Sequence, residues 1–512
     1  MTAARRACVL AALGAAAYLL LEPFSADLAA QTYRAGLVHD TGLGGLWNNG
    51  WFAGHHTPGY GVLSSPLAAL LGVRLAGALA ALAATALFAV VAERHWGRQA
   101  AGAAALWFAL GATAMLLSGR LTFLLGVALA LAAVLALQAS RPRPATALAV
   151  ATALASPVAA LFLALAALAW GLADRARRVA AAAIAVAALA PIVVFALLFE
   201  EGGTEPFVAS AFWPALAGVV LVWALLPARE RALRLGAAIY APACVATFAL
   251  ANPLGGNVTR LGALLAGPVV LGALLASGRR NPALLAVVAL AFGPWQLGYA
   301  VRDVVRASGD PSTAAAYHEP LVRFLQRRPG SFRVEIPLLV NHWEAAHVAP
   351  HVALARGWER QLDRRLGALF YDGSLSAASY RAWLDEHAVA YVALPDAPLD
   401  YAGRDEADLI RGGLAYLRPV WRNEHWRVFE VRRPTPIVRG AGATVELGDD
   451  GFTLRARRAG DVLVRVHHTR WWSVAGGRAC VVAGPGGMTR VRVLAAGTVR
   501  VRARLARSSC RG

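Results

Sequence analysis

EPFSADLAAQTYRAGLVHDTGLGGLWNNGWFAGHHTPGYGVLSSP, residues 22–66, is the long polar and aromatic segment inside an otherwise apolar first 300 residues. It sets Asp27, Tyr33, His39, Asp40, Trp47, Trp51, His55, His56 and Tyr60 between two runs of Ala, Leu and Val. A simple connection between two spans needs far fewer residues, and long ordered loops are usually functional. The segment is therefore expected to be a large outer loop that carries the active site. The hydrophobic runs on either side of it decide the fold.

Apolar residues make up 58% of the chain and charged residues 16%, well away from a soluble average. This composition belongs to a membrane protein. The net charge is +20, carried wholly by Arg because the chain has no Lys. Residues 1–300 hold 18 Arg against 9 acids, and residues 301–512 hold 32 against 21 with the signs interleaved. No basic block or nucleic-acid motif accompanies that charge, so nucleic acid is not expected as a partner. Anionic lipid phosphates are the expected contact.

Apolar runs near 8–21, 73–92, 99–117, 121–137, 145–155, 157–173, 179–199, 207–226, 235–251, 261–276 and 282–299 give about eleven spans. The run 145–155 is too short to cross about 30 Å of hydrocarbon alone, and Ser156-Pro157 breaks it from the next. SSPLAALLG, just after the long loop, reads as a short interfacial helix. With the N-terminus inside, alternating loops put 14 Arg on the inner face and four, Arg34, Arg74, Arg120 and Arg260, on the outer face. That split obeys the positive-inside rule. An odd span count then places residues 300–512 outside, on the face of the long loop. Asp27, Arg120, Glu200, Glu201, Asn257 and Arg260 collect there. Ionisable groups at a membrane boundary are costly to desolvate and are often functional, although a boundary Arg also simply snorkels to headgroups.

The expected organisation is a transmembrane domain over 1–300, an extracytoplasmic α/β region over 301–435 and an antiparallel β-sandwich over 436–512. In the α/β region, 314–327 and 376–387 have helical spacing, while FRVEIPLLV at 332–340 and VAYVALP at 389–395 read as strands. Residues 443–507 alternate with period two, and turn signals recur about every ten residues. NHWEAAHVAPHVALARGWERQLDRR at 341–365 is chemically dense. His342, Trp343, Glu344 and Trp358 form a candidate acceptor platform, against the bland reading that they pack the tail. The His342, His347 and His351 spacing is not that of a zinc site, and no metal site is assigned. Whether a divalent metal is needed stays open. Of four cysteines, Cys480 and Cys510 are a candidate disulfide if the tail is extracytoplasmic.

SADLAAQTYRAGLV, LWNNGWFAGHHTPGYGVLSSPLAALLG, the break ASPVAALFLALA and NVTRLGALLAGP together resemble the GT-C superfamily of integral-membrane glycosyltransferases. More narrowly they are similar to bacterial membrane proteins labelled 6-pyruvoyl-tetrahydropterin synthase-related. The likeness covers the membrane half well and the tail loosely. It implies transfer of a sugar from a polyprenyl-phosphate donor to a cell-envelope glycan acceptor, on the outer face of the bacterial cytoplasmic membrane, with inversion. It also implies an acid of the first outer loop as catalytic base, and Asp27 matches that position. A carboxylate suits the task because it accepts the proton of an acceptor hydroxyl as the phosphate leaves. Many members carry two acids in that loop, whereas here Asp40 follows thirteen residues later, so Asp40 and His39 are secondary candidates in a Gly-flanked turn. Arg120, Asn257 and Arg260, with Trp47, Trp51, His55, His56 and Tyr60, are the candidate groups for substrate and lipid phosphate.

Three readings stay open: the sugar transferase, a non-catalytic envelope assembly or scaffold protein, and a polytopic transporter or flippase. The last predicts internal repetition and charges in mid-span, and the sequence displays neither.

Overall fold

The computed structural model describes residues 3–43 and 45–505. It divides into two compact units, one of residues 1–28 with 59–308 and one of residues 29–58 with 309–512.

The first unit is helical. It contains α1 (Ala3–Leu21), the start of α2 (Ala26–Thr41), α3 (Ser64–Leu71), α4 (Val73–Trp96), α5 (Arg98–Leu117), α6 (Leu121–Gln138), α7 (Pro142–Ala155) and α8 (Pro157–Ala173). It continues through α9 (Arg178–Leu198), α10 (Ala209–Leu225), α11 (Arg231–Ala249), α12 (Arg260–Ala276) and α13 (Pro282–Ala307). Among the described residues eight of these helices are long and apolar enough to cross a membrane, while α8 and α10 are apolar but shorter. The chain is a multi-pass membrane protein.

Close helix packing explains the Ala and Gly bias. α1 packs on α4 and α5, α4 on α6, and α5 on α12. Along α12, Gly262, Gly267 and Gly272 leave room for the rings of Trp295, Trp107 and Trp96, which lie within 2.1–2.5 Å of where a Cβ would stand. Small residues that admit a large neighbour are the usual way for helices to associate where no hydrophobic drive exists between them. Ser156 caps α8 by accepting from the Ala159 N–H at 3.4 Å. With Pro157 at the first helical position, that cap produces the break expected there.

The long segment after α1 is not a loop. Residues 26–41 form the four-turn helix α2, whose apolar positions Leu28, Ala29, Ala30, Tyr33, Ala35 and Leu37 are buried. The polar look of this stretch had obscured a helical period. α3 occupies the place of the short helix expected at SSPLAALLG.

The second unit joins β1 (Trp47–Asn48) and β2 (His55–His56) to α14 (Ala315–Gln326), β3 (Arg333–Glu335), α15 (Glu344–His347), α16 (Arg360–Leu366), α17 (Ala377–Glu386), β4 (Val389–Pro395) and α18 (Tyr401–Arg411). β5 (Leu417–Arg422) and β6 (Trp426–Val431) complete a sheet of order β3-β4-β6-β5. The strand expected over 332–340 is confined to three residues, because Pro337 has no N–H to give a ladder. α17 starts on a capping box of Ser376 and Ser379.

Strands β7 (Val438–Arg439), β8 (Thr444–Gly448), β9 (Gly451–Ala456), β10 (Gly460–His467), β11 (Trp472–Gly476), β12 (Ala479–Ala483), β13 (Met488–Val493) and β14 (Gly497–Ala503) form two sheets. Their orders are β12-β13-β10-β7 and β11-β14-β9-β8, all antiparallel. Alternate residues such as Val462, Val464, Val491, Val499 and Val501 fill the core. Cys480 is disulfide-bonded and Cys8 and Cys244 are free thiols. Cys510, the expected partner of Cys480, lies outside the described residues.

Candidate functional site

Four segments of the helical unit that are remote in sequence deliver charge to one place. Asp27 stands in the first turn of α2, where a negative charge is favoured by the unpaired N–H groups of the helix start. Its Oδ2 lies 3.5 Å from Nη2 of Arg260, the first residue of α12. The Asp27 side chain keeps 31% of its surface exposed and Arg260 16%, so the pair is reachable from outside.

Arg120 comes from the tight turn between α5 and α6. Gly119 in that turn has φ +72°, and a Cβ on it would meet Ser25 Oγ at 2.2 Å and the Leu28 N–H nitrogen at 3.0 Å. Only glycine allows the turn to seat against the start of α2. The Arg120 guanidinium lies over the ring of Tyr299, 3.9 Å from its centroid. Burial, and next the Arg260 charge, push the Arg120 guanidinium below the usual arginine range. Asp27 and Asp303 oppose that by Coulomb attraction.

Arg260 is set by the loop before it. Asn252 Oδ1 accepts from the N–H groups of Leu254 and Gly255 at 2.9 and 2.7 Å. Tyr240 donates to the Val258 carbonyl at 2.5 Å. Asn257 lies in the short turn Gly255–Thr259 that leads into α12.

The sequence reading missed Tyr299 and Asp303. α13 runs on to Ala307, beyond the expected end at 299, and carries both residues one turn apart on one face. Asp303 is within electrostatic reach of Arg120 and Asp27. Its signal was present, for it is the sole acid in residues 282–309. With the span expected to end at 299, Asp303 fell into the tail and was not placed beside the boundary charges.

The other candidates fall elsewhere. His39 and Asp40 are not in a Gly-flanked turn but in the last turn of α2, exposed. Thirteen residues of helix separate Asp40 from Asp27, roughly 20 Å of axial rise. Trp47 is 1% exposed and packs into the β-sandwich core, its ring 4.9 Å from that of Trp472. Trp51 is wholly buried, stacked on Tyr33 at 4.4 Å, and donates to the Ala345 carbonyl at 3.3 Å. His55 is buried and bonded to Asn48 at 3.0 Å, and His56 is bonded to Thr469 Oγ1 at 2.7 Å. Burial of this kind leaves Trp47, Trp51 and His55 no face for a ligand, and they are reassigned to structure. The side chain of Tyr60 lies outside the described residues.

His342, Glu344 and Trp358 do come together. His342 stacks on Trp358 at 3.3 Å, with Glu344 and Asp400 at 3.7 and 3.6 Å from its two ring nitrogens. Arg360 pairs with both oxygens of Asp400 at 3.0 and 2.8 Å and lies 4.9 Å from the Trp358 ring. Trp343 instead stacks on His347. His342, Trp343 and Glu344 are at most 4% exposed, so only half-buried Trp358 could serve as a platform. Behind it Arg356 holds Asp363 at 2.9 and 2.6 Å and Glu406 at 3.2 Å. Among the described residues no group of three or more His, Cys, Asp or Glu is placed to hold a metal ion.

Fold and charged site together define a class: a multi-pass helical membrane protein with a β-sheet-containing C-terminal region and a cluster of Asp27, Arg120 and Arg260 in its helical unit. No protein-family model matches the chain, and no curated protein does. Its neighbours among solved structures are GT-C glycosyltransferases. The arabinofuranosyltransferase AftD from Mycobacteria is similar at 18% identity and a TM-score of 0.48, over 88% of this chain and 40% of AftD. ArnT from Cupriavidus metallidurans is similar at 13% identity and 0.49, over 79% of this chain and 93% of ArnT. The oligosaccharyltransferase of Archaeoglobus fulgidus is similar at 14% and 0.45, over 77% and 69%. The chain thus spans about 40% of the length of AftD.

Proposed function

We propose that this chain is a membrane glycosyltransferase that moves a sugar from a polyprenyl-phosphate donor to a cell-envelope glycan on the outer face of a bacterial cytoplasmic membrane. The observation that carries the reading is the meeting of Asp27 with Arg260 at 3.5 Å beside Arg120. Such a site offers one partly exposed carboxylate for a proton and two guanidiniums for a phosphate.

In this reading the acceptor hydroxyl oxygen attacks the anomeric carbon. The bond from that carbon to the phosphate oxygen breaks, and its electron pair leaves with the polyprenyl phosphate. Asp27 takes the hydroxyl proton, and Arg120 and Arg260 balance the charge that develops on the leaving oxygen. Attack opposite the leaving group inverts the anomeric centre. The bilayer supplies the donor, whose long chain keeps its phosphate at the membrane surface.

Replacing Asp27 by Asn keeps the size and removes the base. Transfer from a polyprenyl-phosphate sugar should fall by about 10²–10⁴-fold with unchanged membrane expression. Unaltered envelope glycan and donor turnover in that variant would defeat the proposal and favour the scaffold or transporter readings.

A further inference from the structure

Arg74 stands in the first turn of α4 and counts among the boundary arginines, which commonly snorkel to headgroups. Here both of its terminal nitrogens turn to the chain instead. Nη1 donates to the Pro23 carbonyl at 2.9 Å and Nη2 to the Glu22 carbonyl at 2.8 Å. The guanidinium also lies 5.4 Å from the centroid of the Tyr18 ring and 5.8 Å from that of Phe24. One side chain therefore touches both the last turn of α1 and the connection that leaves it.

That connection is only four residues, Glu22 to Ser25, because α2 begins at Ala26. It is too short to form a ladder of its own, so its carbonyls need donors from elsewhere. Glu22 turns the chain with φ +43°, the left-handed conformation that closes a helix, and its N–H bonds the Tyr18 carbonyl at 3.1 Å. Beyond it the turn at Gly119 seats against Ser25, Asp27 and Leu28. The start of α2 is thus fixed from two sides, by Arg74 before it and by Gly119 against it.

We propose that Arg74 is a positioning residue for the base: by clamping the Glu22 and Pro23 carbonyls it sets where α2 starts, and so where the Asp27 carboxylate stands beside Arg260. The inference rests on the reading of Asp27 as base given above. It makes Arg74 act through Asp27 alone, without touching donor or acceptor. A guanidinium suits the task because its planar fork bonds two carbonyls at once, whereas an ammonium is a single point charge.

Two measurements test the role. The first follows label from the lipid fraction into glycan, in membranes that contain the full chain and were fed tritiated sugars beforehand, so that their own polyprenyl-phosphate sugars serve as donors. The second is binding of undecaprenyl phosphate to the full chain in nanodiscs. Arg74→Ala should slow transfer about 10–100-fold, the cost of an ångström-scale misplacement of a reacting group, while binding undecaprenyl phosphate as the wild type does. Arg74→Lys, which keeps one of the two bonds, should recover part of the rate. In the Asp27→Asn background Arg74→Ala should cost nothing further, because the group it aims is gone. Should Arg74→Ala fail to reach the membrane, Arg74→Gln, whose amide donates to one carbonyl, makes the same comparisons. Wild-type transfer in a folded Arg74 variant overturns the inference, and so does weaker binding of undecaprenyl phosphate, which would make Arg74 a headgroup contact. An equal loss in the Asp27→Asn background overturns it too, since a general loosening of the fold spares no background. Unaltered transfer in Asp27→Asn alone defeats the reading of the base itself rather than the role of Arg74.

Discussion

Arg356 sits with three carboxyl groups, Asp363, Glu406 and Glu335, in the interior of the α/β region, so one positive charge faces up to three negative ones. Arg356, Asp363, Glu335 and Glu406 are 2% exposed or less. Such an imbalance cannot be buried fully ionised, and protons must make up the difference. Burial first holds the Glu335 carboxyl well above the usual carboxylate range, with the Glu406 charge adding to it. Burial likewise pushes Glu406 up to about 7, opposed by Arg356. The sign follows from linkage. A folded pKa above the unfolded value gives stability that is complete below the unfolded pKa, near 4.3, and is lost as pH rises through the folded pKa. The unfolding temperature of the second unit, followed by tryptophan fluorescence of the full chain, should therefore drop as pH rises from about 5 to 8. Glu406→Gln should flatten that slope, because its amide stays neutral at every pH. A profile in the variant as steep as in the wild type would show that the protons are held elsewhere.

Helix α2 links the sequence's clearest chemical signal to a part of the fold the sequence concealed. Its first turn presents Asp27, while Tyr33 and Arg34 further along are built into the second unit. There Tyr33 donates to Asn48 at 2.7 Å, and Arg34 pairs with Glu359 at 2.5 Å. Gly357 lies against Trp51, where a Cβ would come within 2.4 Å of the indole. Gly357→Ala should cost about 1–3 kcal/mol by overpacking, and Trp47→Ala, which empties a site in the sandwich core, about 3–5 kcal/mol. Chemical denaturation of the full chain measures both. Gly119→Ala is the contrasting case, because it strains the turn that aims Arg120. It should cost sugar transfer more than expression, and normal transfer in that variant would show the turn to be dispensable. These elements differ in how far they could be read. The β-sandwich announces itself because a period of two over eight strands has no competing interpretation, and the helix over 377–386 does so through its Ser cap. α2 was hidden because Gly36, two Thr and a run of polar residues masked the apolar positions that bury it. Asp27, Arg120 and Arg260 were legible as boundary charges. The topology put them on one face, but the direct pairing of Asp27 with Arg260 was not legible, since no local pattern links residues 27, 120 and 260.

Across the helical unit, that convergence constrains topology in a way hydropathy does not. Asp27, Arg120, Arg260 and Asp303 meet at one end of the helices, so an even number of crossings must separate each from the next. α4 and α5 lie between the first two, α3 being only eight residues and about 12 Å long. α12 and α13 lie between the last two. Between Arg120 and Arg260 stand α6 to α11, where α7, at fourteen residues or roughly 21 Å, is too short to cross alone. If α7 and α8 together made a single broken crossing, the count would be odd and Arg260 would emerge at the wrong end. They therefore act as a pair that leaves and returns, consistent with the packing of α7 on α8, α6 and α9. The proposed function requires that end to face outside the cytoplasm, which is the side the positive-inside rule assigns to it. Reporter fusions check this directly. A phosphatase that folds only outside the cytoplasm should be active when fused after Gly203 or Asn252 and inactive after Ser140, Arg229 or Arg279. Activity after Arg229 together with silence after Asn252 would mean that α7 and α8 form one crossing. Asp27 and Arg260 would then lie on opposite faces, which their pairing at 3.5 Å forbids.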